Sequence, residues 1–255
     1  MNAAFRLALA GVVTLVTLPA LSQDARFERR ALAVGAVSHL LLPTSANANG
    51  AYGAVYKTKV SIYNAVDATY QIRIGLSDGT GEIEARYLTI APYETVTFNN
   101  FLQDIFGYSG AGAIDLDSSN ANYVFVVSSQ VYVDTSSGRY TTSVQFADDL
   151  GAVTPSRPGY VVGVSVDGSS RTNIGCASNS PFDQTITFRA FDRFGDVVGS
   201  AFSFTLRAWG WAQFAYGSPL FNGGVEIQAS QNAVCYGVEV NNASNDGTFQ
   251  LATPF

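Results

Sequence analysis

The sequence predicts an all-β protein built as two tandem immunoglobulin-like antiparallel β-sandwich domains related by internal duplication. Three observations predict it. Apolar residues recur two apart with polar residues between them, which places alternate side chains on one buried face. Turn signals separate these runs at intervals of about 8–12 residues. The second half of the chain also repeats the order and spacing of the first. Composition agrees, because 47% hydrophobic residues in a 255-residue chain are too many for disorder, and 13% charged residues are too few for a helical bundle.

Met1 to Ser22 reads as a secretory signal peptide. Arg6 supplies the positive start, Leu7 to Leu18 is continuously apolar, Pro19 breaks the run, and Ala20-Leu21-Ser22 sets small residues before Gln23. The apolar run is short of the ~20 residues that a spanning helix needs. Residues 23–35 form an N-terminal extension, 36–150 the first sandwich, 151–159 a linker around Pro155 and Pro158, and 160–255 the second sandwich. A membrane β-barrel is the competing reading for a chain this rich in Tyr and Phe that ends in Phe255. Pro254 and runs of about six residues argue against it, since barrel strands need ~9–11.

In the first half, the alternating runs are Val60/Ile62, Tyr70/Ile72/Ile74, Leu88/Ile90, Val96/Phe98, Ile114/Leu116 and Val131/Val133. Asn47 to Gly50, Ser77 to Gly81 and Ser136 to Gly138 punctuate them as turns. Only Asn99 to Phe106 has the pattern of a short helical turn. The second half follows in step. Lys57 to Asn64 lines up with Arg171 to Ser178, and Tyr70 to Glu82 with Gln184 to Asp196. Tyr93 and Phe98 meet Trp209 and Phe214, and Ala113 to Leu116 meets Gly224 to Ile227.

The stretches around Leu40-Leu-Leu-Pro43, Thr58 to Asn64 and Arg171 to Ser180, with the terminal Asn241 to Phe255, resemble a class of tandem β-sandwich exoproteins of environmental bacteria. The resemblance covers about residues 36 to 255. It implies export and an all-β fold, with no assigned activity.

Cys176 and Cys235, both in the second half, are expected to pair in an oxidising compartment. Cys176 stands where the first half has inward Ile62. Parity is less accommodating at the other end: Val234, Tyr236, Val238 and Val240 share a face, which leaves Cys235 opposite unless a β-bulge turns it.

Catalytic constellations fail on counting. The lone His39 has no matched nucleophile elbow, since Gly163-Val-Ser165 lacks the glycine that such a turn requires. Asp115, Asp117 and Ser119 have the spacing of a calcium loop but lack its later ligands, so neither metal nor cofactor is expected. The sharper candidates are Trp209, Trp211 and Gln213, which parity places opposite inward Ala212 and Phe214, with Tyr93 as the first-half counterpart of Trp209. Outward Trp residues either stack sugar rings or lie under a neighbouring surface, and the second reading is favoured.

The expected function is therefore that of a secreted, noncatalytic protein in cell-surface, matrix or adhesive interaction, outside the cell or in the periplasm. The alternatives are a carbohydrate-binding module using Trp209 and Trp211, and a filament subunit that donates Ala31 to Leu42 as a strand to a second copy. A net charge of −6 without a basic run speaks against nucleic acid, and no membrane span is expected once the signal is cleaved. The expected partners are a protein or glycan surface and further copies of the chain.

Overall fold

The computed structural model describes residues 39–118, 124–135, 138–148 and 151–255. The signal segment, the extension of residues 23–35 and Ser119 lie outside them. The first half (39–148) contains β1 (His39–Asn49), β2 (Val55–Asn64), β3 (Tyr70–Asp78), β4 (Gly81–Ile90), β5 (Thr95–Phe98), α1 (Phe101–Phe106), β6 (Gly110–Ser118), β7 (Phe125–Thr135) and β8 (Gly138–Ser143). The second half contains β9 (Gly159–Val166), β10 (Ser170–Ser178), β11 (Gln184–Phe191), β12 (Val197–Leu206), β13 (Trp211–Ala215), β14 (Leu220–Ala229), β15 (Ala233–Asn241), β16 (Gly247–Leu251) and β17 (Thr253–Pro254).

All strand pairings are antiparallel, and one scheme occurs in both halves. In the first, β4-β3-β6-β1 form one layer and β5-β2-β7-β8 the other, with Asn47–Asn49 of β1 pairing to β2 where the layers join. In the second, β12-β11-β14-β9 and β13-β10-β15-β16 repeat those neighbours as separate sheets, and β17 adds an edge beside β9. The first strand of each half lies beside the sixth, and the seventh beside the second. An immunoglobulin domain instead groups its strands as ABED and CFG.

The core follows the alternation. Val60, Ile62, Ile72, Ile74, Ile90, Ile114 and Leu116 are fully buried together, with Tyr70 beside them. Leu88, Val96, Phe98 and Val131 pack partly buried against this cluster. Both layers contribute, so two apolar faces are removed from water by one contact. The second half encloses a separate core that includes Val161, Ile174, Ile186, Phe188, Val225 and Ile227. The linker belongs to that core: Val153 is fully buried in it and exchanges backbone hydrogen bonds with Ala233.

The turn before the fifth strand is built alike in the two halves. Glu94 N–H donates to Ala91 O at 3.2 Å, and Gly210 N–H to Arg207 O at 2.9 Å. Tyr93 (φ 58°) and Trp209 (φ 55°) both adopt the left-handed conformation, which is uncommon for bulky residues. Each turn is tied to the second strand, through Asn64 N–H to Glu94 O and Ser178 N–H to Gly210 O.

Leu40 to Leu42 are paired with Ile114 to Leu116 of the chain's own β6. The described end of the proposed donor segment is thus the first strand of its own sheet.

Candidate functional site

Cys176 and Cys235 are bonded to each other and sit directly opposite on β10 and β15, with Cα atoms 4.0 Å apart. The bond lies within one sheet, unlike the inter-sheet pin of an immunoglobulin domain. No bulge is needed. Both sulfurs face the core of the second half, while Val234 and Tyr236 face the first half. The apolar stripe read as inward is therefore an interface stripe.

That interface sets Trp211. Its ring packs beside a buried cluster of Leu41, Ala113, Ala147 and Ala152 on one side and Ala177 and Val234 on the other. Its Nε1–H donates to the Tyr236 hydroxyl at 3.1 Å, and that hydroxyl donates to Gln213 Oε1 at 2.9 Å. Burial raises the Tyr236 pKa, and hydrogen bonds from Thr44 and Trp211 oppose the rise. Gly175 lies under the ring of Tyr236: a Cβ there would sit 2.4 Å from its hydroxyl oxygen. Trp209 is separate, 44% exposed in the turn, as Tyr93 is 51% exposed in its own. The structure thus joins Trp211 to Gln213 but does not form a common exposed platform from Trp209 and Trp211.

Beside this network lies a cavity of about 390 Å³ between the halves. Val131, Val133 and Val144 line it from the first half, and Val238, Val240 and Phe249 from the second. Gln213 reaches it, as do Asn173 and Arg171. Arg171 donates from Nη1 to Asn242 Oδ1 at 2.9 Å, and from Nη2 to Asn245 Oδ1 at 2.9 Å and the Tyr56 hydroxyl at 3.3 Å. Burial raises the Tyr56 pKa, while the adjacent Arg171 charge and hydrogen bond pull it down. Arg171 therefore ties the loop between β15 and β16 to Tyr56 of β2, and with it the two halves.

A second feature had no signal in the repeat comparison. Val197, Phe191, Gly224 and Val162 form one row across β12, β11, β14 and β9, with directly opposed residues sharing a face. Ala190, Val225 and Val161 are core residues, so alternation turns this row to the outer face. Val162 and Val197 are exposed, and at the hairpin end so are Phe194 (75%) and Phe221 (63%). The Arg193 guanidinium lies 4.7 Å from the Phe194 ring centre and 5.8 Å from that of Phe221. The next part of the same face is polar: Tyr160 and Gln228 donate to Glu226, and Thr187 bonds Ser203. An exposed apolar patch with a polar rim is the surface chemistry of a contact site.

The weaker candidates are accounted for. His39 Nε2 lies 2.5 Å from Asp115 Oδ1, and Arg73 donates to Asp115 Oδ2 at 3.1 Å. Ser165 Oγ accepts from the Asn222 backbone N–H at 3.1 Å. Among the described residues no group of three or more His, Cys, Asp or Glu is placed to hold a metal ion, and no helix is long and apolar enough to cross a membrane.

No protein family matches the chain, and no curated protein matches it. Among solved structures, a lectin from Pleurotus ostreatus in complex with GalNAc aligns over 84% of this chain and 83% of its own, at 13% identity and a TM-score of 0.13. Agreement at that level carries no argument about fold or ligand.

Proposed function

We propose that this is an exported, noncatalytic protein of two duplicated sandwiches whose work is contact with a cell-surface or matrix partner. The observation that carries the reading is the exposed patch of Phe194, Phe221, Val162 and Val197. Burying such aromatics against a partner contributes far more than scattered surface residues do. The interface between the halves supports the same reading, because a patch on a firmly held scaffold loses little freedom on binding. The Cys176–Cys235 bond supports export, since disulfides persist in oxidising compartments.

The test is retention of labelled protein on washed cells and extracted matrix of the producing organism, comparing the wild type with the Phe194→Ser/Phe221→Ser double variant. Retention is expected to fall at least about tenfold. The thermal midpoint should barely move, as surface substitutions stay within about 0.5 kcal/mol. Unchanged retention by a folded variant overturns the proposal.

A further inference from the structure

We infer that the cavity between the halves is a binding site for a small uncharged ligand with one carbonyl group, a ketone, ester or lactone, its apolar body in the cavity and its carbonyl at Gln213 and Asn173. The inference is independent of the outer-face patch. A volume of about 390 Å³ lies within the range of roughly 300–1,000 Å³ for small-molecule sites. Val131 and Val133 supply apolar wall from the first half, Val238 and Phe249 supply it from the second, and small residues such as Ala46 and Ala111 leave the space open.

The charge on the walls favours a neutral ligand. Among the described residues that line the cavity, Arg171 alone is charged, and its guanidinium is already engaged, by Tyr56, Asn242 and Asn245 among others. An ion entering the cavity would give up its hydration with no open counter-charge to replace it. The polarity of the remaining groups follows from the indole. Trp211 Nε1–H can only donate, so the Tyr236 hydroxyl accepts from it and turns its own proton to Gln213 Oε1. The Gln213 amide is thereby oriented, its oxygen taken and its Nε2–H group left as a donor. Nothing else among the described residues bonds that group or the Asn173 side chain. Asn173 lies on β10 opposite Ala215 of β13, two residues on from Gln213, so the two amides share one face of the sheet and both line the cavity. Amide donors beside an apolar wall select a ligand whose polar atom is an uncharged acceptor, which is a carbonyl oxygen. Because the walls come from both halves, a bound ligand also bridges them and stabilises their association by mass action.

The experiment is calorimetric titration of the disulfide-bonded protein with 2-octanone, 1-octanol and octanoate, three probes of equal carbon count. Two variants accompany it: Ala111→Phe to fill the cavity, and Gln213→Glu to remove the donor while keeping an acceptor for the Tyr236 hydroxyl. The wild type is expected to bind 2-octanone, and to bind octanoate at least about tenfold more weakly. Ala111→Phe should weaken 2-octanone by at least about tenfold. Gln213→Glu should weaken 2-octanone by about fivefold while leaving 1-octanol within about twofold, since a hydroxyl can donate to the new carboxylate and a ketone cannot. If Ala111→Phe does not fold, the Gln213→Glu comparison decides alone. Absence of 2-octanone binding, binding that survives the filled cavity, octanoate bound as tightly as 2-octanone, or equal losses for both neutral probes in Gln213→Glu overturns the inference.

Discussion

The two halves share one pairing scheme and treat the same sheet face in opposite ways. In the second half, the outward positions of β13, β10 and β15 carry Trp211, Gly175, Ala177, Val234, Tyr236 and Val238, and the first half covers them. The positions at the same places in the register of the first half are Thr95, Ser61, Tyr63, Val126, Ser128 and Gln130. Ser61 there bonds Thr97 across the strands, and Ser128 and Gln130 are at least partly open to solvent. Backbone pairing is thus indifferent to whether a face is wet or covered. Side chains at alternate positions decide it, because only an apolar face gains by leaving water.

The cores are closed differently as well. In the first half α1 inserts Phe101 and Leu102, fully buried, and Phe98 meets Phe101 edge-on at 5.4 Å. The second half joins β13 to β14 directly and fills the matching end with Phe188, Phe202, Phe204 and Phe214, the last two with ring centres 4.6 Å apart. Ile62 and Val127 of the first half occupy the register positions of Cys176 and Cys235.

The largest break in the comparison should come from the disulfide. Cys176→Ala/Cys235→Ala is expected to cost about 2–5 kcal/mol, the usual loss for a small exported domain. Chemical denaturation with and without reductant measures it, and a reductant effect that persists in the double variant overturns the assignment. Next is Gly175→Ala, whose methyl meets the Tyr236 ring. About 1–3 kcal/mol should be lost to overpacking. Ser61→Ala at the corresponding first-half position should stay within about 0.5 kcal/mol. Equal effects at the two sites mean that the interface does not depend on this contact.

The last effect concerns pH. Burial pushes the Tyr70 pKa up to about 12 and raises that of Tyr236, so the neutral phenols are favoured in the folded protein. Their contribution is full below the unfolded value of about 10 and is lost as pH rises toward 12. Stability should therefore fall over that alkaline window, less steeply for Tyr70→Phe. An unchanged slope in that variant removes Tyr70 from the account.

Strand alternation was legible in the sequence because it is local: period two in polarity maps onto the two faces of a strand wherever that strand goes. Val60, Ile62, Ile72, Ile74, Ile114 and Leu116 could be named as core from that rule alone, and Cys176 and Cys235 could be paired from compartment and number. Which neighbour each strand takes was not local. The pairing of β1 with β6 joins residues more than seventy positions apart, such as His39 with Asp117. Only the folded chain decided that order, and with it the departure from the immunoglobulin grouping.

The same reason explains β15, where both faces are apolar. Alternation cannot tell a core face from an interface face when both leave water, so Val234 and Tyr236 read as core and Cys235 as misdirected. The tertiary structure assigned one face to the second core and the other to the first half. It also brought Arg171 to Tyr56 and Asn245, and Arg193 to Phe221, pairs of residues whose distance along the chain carries no information about their distance in space.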